Sequence, residues 1–191
     1  MKKLFFLLLI LIFINSNNLF SSNNLDSTVA KTKFKRKPIA IIDFGNQIGT
    51  GDYPADRLKL ALIIGSQLTP NFSLGLGSGI NFYTDKLNGM VPIFAHLKLQ
   101  SKKIKNSPFL ALALGFTVNP MDSFSYLGYM INPTIGISFK ITKNTYFHFG
   151  LGYAIQEQIS EDDSYNYSND SYVKRSDRYF EAFELNAGLS F

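Results

Sequence analysis

From Pro38 to Phe191, apolar and polar residues alternate with a period of two, which is the period of a β-strand and not of a helix. In the last segment, from Tyr179 to Phe191, large apolar side chains hold most of the odd positions, and small or polar residues hold most of the positions between them. Eight segments carry this alternation: 38–48, 57–68, 72–84, 90–100, 108–118, 127–139, 145–156 and 179–191. The pattern predicts eight β-strands.

The connections between these segments alternate between short and long. Tight polar turns are predicted at 69–71, 102–107 and 142–144. Longer connections are predicted at 49–56, 85–89, 119–125 and 159–177. With an even number of strands, the tight turns and both chain ends lie on one side, and the longer loops lie on the other. We therefore expect an up-and-down antiparallel meander that closes on itself and leaves no unpaired edge.

The composition of the two strand faces distinguishes a soluble barrel from a membrane barrel. A soluble eight-stranded barrel, such as a lipocalin, holds its large apolar residues inside. Here one face carries Leu, Ile and Phe, whereas the other is dominated by Gly, Ala, Ser, Thr and Asn. Only the small and polar face fits the narrow lumen of eight strands, so the apolar face points outward and requires lipid. Strands of this length, tilted as in known barrels, span roughly 25 Å, the height of a hydrocarbon belt. The sequence predicts an all-β fold, an eight-stranded antiparallel up-and-down transmembrane β-barrel.

Aromatic residues agree with a membrane location. The chain has 18 Phe and 10 Tyr but no Trp. One group falls toward the long loops: Phe82, Tyr83, Tyr126, Tyr129, Tyr153 and Tyr179. A second group falls toward the tight turns: Phe72, Phe109, Phe139, Phe147 and Phe191. Two aromatic girdles at the membrane interfaces are typical of transmembrane barrels.

The N-terminus has the pattern of an export signal. Lys2 and Lys3 precede an unbroken apolar run of 11 residues, 4–14, which is too short to remain as a spanning helix. Cleavage after Ser16 and cleavage after Ser22 are both compatible with the sequence, and the absence of cysteine excludes an N-terminal lipid anchor. We therefore expect a signal peptide over 1–22, a flexible polar and basic periplasmic leader over 23–37, and the barrel over 38–191.

The net charge of +5 does not indicate nucleic-acid binding. Seven of the 19 basic residues precede Pro38, so the barrel segment has 12 basic and 13 acidic residues and is nearly neutral. A phosphate-binding surface needs a basic stripe on the folded body, and the sequence has none there.

With these features in place, the chain resembles the small outer-membrane β-barrels of Gram-negative bacteria, the OmpA/OmpX type. Further similarity to generic outer-membrane β-barrel domains lies in Gly75–Gly79 through Val91–Phe94, in Pro108-Phe109 and in Gly152-Tyr153. The resemblance implies the outer membrane as location, lipid and lipopolysaccharide as surroundings, a monomer, and recognition of the terminal Phe191 by the barrel-assembly machinery. It implies no particular activity, because the fold carries many functions.

Strand parity adds an orientation to this expectation. Both chain ends and the tight turns, which carry Lys102, Lys103, Lys105 and Lys143, are expected in the periplasm. The longest connection, 159–177, is expected outside the cell, where functional loops of variable length are usually found.

Few residues suggest chemistry. The two histidines, His96 and His148, are predicted to point inward, and a catalytic or metal site would need partners such as Asp43, Glu184 or Lys98 beside them. The inward charged residues are instead expected to form ion pairs that plug the lumen: Asp43, Lys59, Lys98, Lys140 and Glu184. We predict no catalytic, cofactor-binding or metal-binding residues.

Two further segments invite a binding interpretation. The run Gly75-Leu76-Gly77-Ser78-Gly79 is similar to a phosphate-binding loop, but no helix follows it and its glycines alternate along a strand. The segment 157–177 has six acidic residues against Lys174 and Arg175, with tyrosines between them. A divalent-cation or adhesive loop is one interpretation, and an acidic solvated surface loop is the favoured one, because the spacing fits no EF-hand.

Three functions fit these observations. The favoured one is a non-enzymatic surface barrel, structural or adhesive, whose specificity resides in its external loops. A narrow porin-like channel requires an open lumen, which eight strands rarely leave. A membrane-embedded enzyme acting on lipid requires a nucleophile and a base at the outer rim, whereas both histidines are predicted inside.

Overall fold

The computed structural model of the protein describes residues 35–84, 89–101, 106–162 and 174–191. The strands are β1 (Lys37–Thr50), β2 (Arg57–Gln67), β3 (Phe72–Tyr83), β4 (Gly89–Gln100), β5 (Asn106–Asn119), β6 (Ser125–Lys140), β7 (Tyr146–Asp162) and β8 (Lys174–Ser190). Each strand pairs antiparallel with the next, and β8 pairs with β1 to close the barrel. The predicted eight-stranded antiparallel barrel is confirmed. The proposed signal peptide and most of the leader lie outside the described residues.

The register of the strands sets the width of the barrel. The pairing can be followed once around the barrel, from each residue to its partner on the next strand. Starting at Ala40 of β1, this path passes Ile64 of β2 and reaches Glu181 of β8. Glu181 pairs with Thr50, which lies ten residues further along β1 than the starting point. A stagger of this size over eight strands corresponds to a strand tilt of about 40°. Such a barrel has an interior that side chains can fill.

Two prolines interrupt the hydrogen-bonded ladder without opening the barrel. Pro92 falls in the gap of the β3–β4 register between Ile93 and Met90, and Pro133 falls in the gap of the β6–β7 register between Ile131 and Thr134. Proline has no N–H to donate, so a strand keeps full pairing only on its other side. Ser78 Oγ compensates at the first gap by donating to the Pro92 carbonyl over 3.0 Å.

Two tight turns are stabilised by the same kind of hydrogen bond. Thr69 and Thr142 each begin a turn, and each hydroxyl accepts the backbone N–H three residues on, from Phe72 at 3.0 Å and from Thr145 at 3.1 Å. Threonine hydroxyls stabilise turns in this way. The turns predicted at 69–71 and 142–144 are confirmed, whereas residues 102–105 of the third lie outside the described residues.

The longest predicted loop is shorter than the sequence pattern suggested. β7 continues to Asp162 and β8 begins at Lys174, so the prediction that 159–177 is entirely loop was wrong at both ends. The backbone register places Glu161 opposite Arg175 and Asp162 opposite Lys174. The apolar alternation of the sequence ends before the two strands do. The acidic segment 163–173 lies outside the described residues.

The two faces of the wall differ as the alternation predicted. Large apolar side chains on the outer face are exposed, with Leu76 73% and Ile64 64% accessible, while the side chains between them point into the lumen. Two members of the predicted girdles are exceptions: Phe109 is buried in the lumen, and the ring of Tyr83 meets Arg57. Their placement in an outer girdle was wrong. Outward and inward residues alternate along each strand, and both Tyr83 and Phe109 occupy inward positions.

Within the described ranges the secondary structure consists of strands and connections, and it includes no helix long and apolar enough to cross a bilayer.

Candidate functional site

The charged centre of the lumen is built around Glu184 of β8. Its side chain is fully buried, and it accepts hydrogen bonds from Gln47 Nε2 at 2.6 Å and from Asn132 Nδ2 at 2.6 Å. Lys59 Nζ forms an ion pair with the other carboxylate oxygen, which also accepts from Asn186 Nδ2 at 3.4 Å. The donors come from four different strands, so one carboxylate ties opposite walls of the barrel together.

A second carboxylate extends this network. Lys59 Nζ lies 3.2 Å from Asp43 Oδ2, and His148 Nε2 lies 3.1 Å from Asp43 Oδ1. All three side chains are nearly inaccessible. Burying an ion costs several kcal/mol unless charge partners and hydrogen bonds replace its hydration, and this chain of contacts does so. The predicted ion pairs are therefore confirmed for Asp43, Lys59 and Glu184.

The two remaining predicted lysines behave differently. Lys98 is buried, with its Nζ 4.3 Å from the centre of the Phe109 ring and within 3.5 Å of Ser138 Oγ, to which it donates. Lys140 is exposed at the tight-turn end of β6. The prediction that Lys140 joins the lumen network was wrong: it has the inward parity, but its position at the strand end leaves it in solvent.

A separate polar cluster lies toward the long loops and was not singled out from the sequence. Arg57 is buried, and its Nη1 donates to Gln156 Oε1 over 2.6 Å. Gln156 Nε2 in turn donates to Thr117 Oγ1 at 3.2 Å and to Met90 Sδ at 2.7 Å. The alternation of the sequence could have predicted that Arg57 points inward, because it lies two residues before Lys59 on the same face of β2.

Between these clusters the lumen is almost full. Apolar side chains from Ile41, Ile63 and Phe94 pack beside the ion pairs, and the cavity at this level has a volume of about 40 Å³. A cavity of this size holds only a few water molecules. The interior widens at the tight-turn end, where a larger cavity opens.

Both histidines border the small central cavity of the lumen. His148 contacts Asp43 and packs edge-on against Phe109 at a centroid distance of 5.9 Å, while His96 borders the small central cavity. Ser138 is paired with His148 on the neighbouring strand, but Ser138 is fully buried, and its Oγ accepts from Lys98. The described part of the chain contains no group of three or more acidic or histidine side chains arranged to hold a metal ion.

Comparison with known proteins adds a structural relative and no sequence relative. The sequence matches no protein-family model, and no curated protein is significantly similar to it. The crystal structure of Neisserial surface protein A (NspA) is similar in fold, with a TM-score of 0.59 and 14% identity, over 82% of this chain and 98% of NspA. A de novo designed transmembrane β-barrel aligns at a TM-score of 0.44 with 7% identity, over 80% of this chain and 93% of the designed chain. The resemblance to small outer-membrane β-barrels, inferred from the sequence, is thereby confirmed for the fold.

Proposed function

We propose that this chain is an integral outer-membrane protein of a Gram-negative bacterium, non-enzymatic, with a structural or adhesive role that resides in its external loops. The observation that carries the proposal is the pairing of a lipid-compatible outer face with a lumen filled by a buried ion-pair network. A barrel of this kind offers ligands its loops and rim rather than its interior.

The outer face supports the membrane location. Apolar side chains exposed on all eight strands form a continuous belt, including Ile42, Leu62 and Leu151. Soluble monomers rarely expose contiguous apolar patches above a few hundred Å². Lipid and lipopolysaccharide are the surroundings that satisfy such a belt, and a monomer suffices because the barrel closes on itself.

The filled lumen disfavours the channel alternative. A conducting pathway would have to pass the level of Glu184, Lys59 and Asp43, where the cavity bordered by Lys59 and Asp43 has a volume of only about 40 Å³. Opening it would require breaking the contacts that satisfy three buried charges.

The position of the polar groups disfavours an enzyme acting on lipid. The buried Asp43–His148 pair is separated from the membrane by the strand wall, and the neighbouring Ser138 is inaccessible. The fold is similar to that of NspA, which is named as a surface protein.

Conductance of the refolded protein in planar bilayers tests the proposal. We expect no steady single-channel current, and insertion is verified in parallel by faster migration of the unboiled than of the boiled protein on gels, together with a strand-dominated circular dichroism spectrum. A steady current from inserted protein would favour the channel alternative and overturn the proposed role.

Protease treatment of intact cells tests the orientation. We expect cleavage near Lys174 or Arg175 and protection of an epitope tag placed after Ser22, because the long loops face outside and the leader faces the periplasm. Cleavage of the tag with survival of the loop would reverse the orientation.

The terminal residue offers a test of the proposed assembly partner. Phe191 is exposed at the end of the apolar face, and its backbone N–H donates to the Ala40 carbonyl over 2.9 Å. Phe191→Asp should lower the amount of inserted protein in cells. Unchanged levels at native expression would argue against recognition of this residue by the barrel-assembly machinery.

A further inference from the structure

The outer face of the wall carries a groove near the long loops that the loop-based role does not use. It spans β5 to β8 and has a volume of about 630 Å³. The side chains that line it are aliphatic or aromatic, with the single exception of Glu157. A carboxylate on a lipid-facing surface is costly, and ionisable residues in such places usually have a function. We refer to this feature as the outer groove.

The outer groove forms where β6 departs from regular pairing. The β5–β6 register shifts between Thr117 and Val118, so that Leu127 has no partner on β5. Gly128, the next residue, has a φ of 146°, and a Cβ there would collide with the backbone of Glu157 on β7. Only glycine fits such a position. Bulges of this kind are common beside functional sites, where they redirect neighbouring side chains.

The lining of the outer groove changes in character along the strands. Leu114, Ile131 and Ile155 are paired side by side toward the middle of the wall. The next row of outward side chains, toward the long loops, consists of Phe116, Tyr129, Glu157 and Tyr179. An aliphatic row followed by an aromatic and charged row matches a lipid, whose acyl chains lie deeper in the membrane than its headgroup.

The carboxylate of Glu157 is only loosely held. One oxygen accepts the backbone N–H of Tyr129 and the other accepts the hydroxyl of Tyr179, each over 3.5 Å. Both distances exceed the usual range of about 2.5–3.2 Å. Within the described ranges, no Lys or Arg side chain forms an ion pair with Glu157. A cation with N–H donors would complement this carboxylate in both charge and hydrogen bonding.

A second carboxylate of the outer face lies outside the groove. Glu181 is on the same side of β8 as the exposed Tyr179 and Phe183, and it accepts the hydroxyl of Tyr153 over 2.7 Å. It does not contribute to the lining of the outer groove. Glu181 therefore serves as the internal reference for Glu157, since both are outward carboxylates beside tyrosines.

We propose that the outer groove binds a membrane lipid whose headgroup carries a primary ammonium, as in phosphatidylethanolamine. The ammonium donates hydrogen bonds to the carboxylate of Glu157, and one acyl chain lies along Leu114, Ile131 and Ile155. This inference rests on the membrane location proposed above and adds a lipid preference to it.

Quenching by lipids that carry bromine on their acyl chains tests the proposal. The chain has no Trp, so Phe116→Trp places a single fluorophore in the outer groove. The refolded full chain is inserted into vesicles of equal parts phosphatidylethanolamine and phosphatidylglycerol, with bromine on only one of the two lipids. We expect stronger quenching when phosphatidylethanolamine is brominated, from a local enrichment of about threefold, as for a partly exposed ion pair. Phe149→Trp, on the outer face but outside the groove, should be quenched equally by both mixtures.

The outcomes separate this inference from the membrane location. Equal quenching of inserted Phe116→Trp by the two mixtures would overturn the lipid preference and leave the membrane location intact. Failure of the parent chain to insert, judged from its migration on gels before and after boiling, would overturn both. Tyr129→Trp is the second reporter if Phe116→Trp does not fold, because its backbone N–H to Glu157 is retained.

Variants identify the group that recognises the headgroup. Glu157→Gln keeps the shape of the side chain and removes its charge, so in the Phe116→Trp background the quenching by the two mixtures should become equal. Glu181→Gln is the matched control and should preserve the preference. A preference that survives Glu157→Gln, or that both changes abolish alike, would contradict the assignment.

Phosphatidylcholine distinguishes hydrogen bonding from charge alone. Its trimethylammonium group has the same charge as the ammonium but no N–H to donate. When it replaces phosphatidylethanolamine in the mixtures, the enrichment at Phe116→Trp should fall toward one. An enrichment as large as that of phosphatidylethanolamine would overturn the preference for a primary ammonium.

Discussion

The outer face of the wall and the lumen consist of alternate residues of the same strands, yet they obey opposite rules. On β3, Leu76 is exposed on the outer face, while Gly77 beside it points inward against Phe94. On β2, Ile64 faces out, whereas Lys59 and Ala61 face in. At the proposed membrane location, hydrocarbon surrounds the outer face, so exposed apolar area is tolerated there. Inside, the buried charges of Asp43, Lys59 and Glu184 are tolerated because each has an oppositely charged partner. Which positions of this fold carry polar residues therefore depends on the surroundings of each face and not on burial alone.

Substitutions on the two faces should also destabilise the barrel for different reasons. A charge on the outer face has no partner and no water, so its cost depends on depth in the membrane. Loss of a charge inside leaves its former partners buried, so its cost depends on how many contacts it made. Substitutions on each face should separate these two mechanisms.

The largest effect should come from Glu184→Ala. This change leaves the Lys59 charge with Asp43 as its remaining carboxylate and removes the acceptor of Gln47 and Asn132. Breaking a buried pair on one side typically costs 3–5 kcal/mol, so we expect the free energy of unfolding to fall by about 3–5 kcal/mol. Denaturant unfolding from lipid vesicles measures it. Asp122→Ala, an exposed carboxylate in the β5–β6 connection, should change stability by less than about 0.5 kcal/mol. Equal effects of the two changes would argue against a structural role for the lumen network.

A somewhat smaller effect should follow from Leu76→Arg. Leu76 and Met121 have nearly the same accessibility, 73% and 76%, but Leu76 is in the middle of β3 and Met121 lies in a loop. In water the two substitutions would be equivalent. In a bilayer, Leu76→Arg should cost about 2–4 kcal/mol and Met121→Arg close to nothing. Unfolding from vesicles distinguishes them, and equal costs would place the strand outside the hydrocarbon.

The smallest effect should come from packing in the lumen. A Cβ at Gly77 would lie 2.5 Å from the Phe94 ring and 2.9 Å from Ile63 Cγ1, so Gly77→Ala should destabilise the barrel by about 1–3 kcal/mol. Gly89→Ala is the control, since its Cβ would meet atoms no closer than 3.5 Å. Adding Phe94→Leu should recover part of the loss by a non-additive effect in a double-mutant cycle. Full additivity would show that Phe94 is not the obstacle.

Strand number, pairing order and the facing of most side chains followed from the sequence, because a period of two fixes which residues share a face and a barrel has only two faces. Candidate ion-pair members such as Asp43 and Glu184 followed from the same parity. Their actual partners did not, since contacts across the lumen depend on the stagger of the strands, which single-strand alternation does not encode.

The incorrect predictions concern residues near the ends of the strands. Lys140 and Phe109 both have the inward parity near the tight turns, but one is exposed and the other buried, because depth along the barrel axis separates them. Likewise, β7 and β8 extend past the end of the apolar alternation, since backbone pairing continues where the lipid does not. The alternation shows whether a residue points inward or outward, but it does not show how far along the barrel axis the residue lies.

Fluorescence quenching by brominated lipid tests most directly which face of the wall meets the membrane. The chain contains no Trp, so a single introduced Trp is an unambiguous reporter. Phe109 and Phe149 lie in neighbouring rows of the register at nearly the same depth, but Phe109 is 7% exposed and faces the lumen, whereas Phe149 is 48% exposed on the outer face. In vesicles with brominated acyl chains, Phe149→Trp should lose most of its emission, and Phe109→Trp should lose little. Equal quenching of the two, or stronger quenching of Phe109→Trp, would contradict the assignment of the apolar face to lipid.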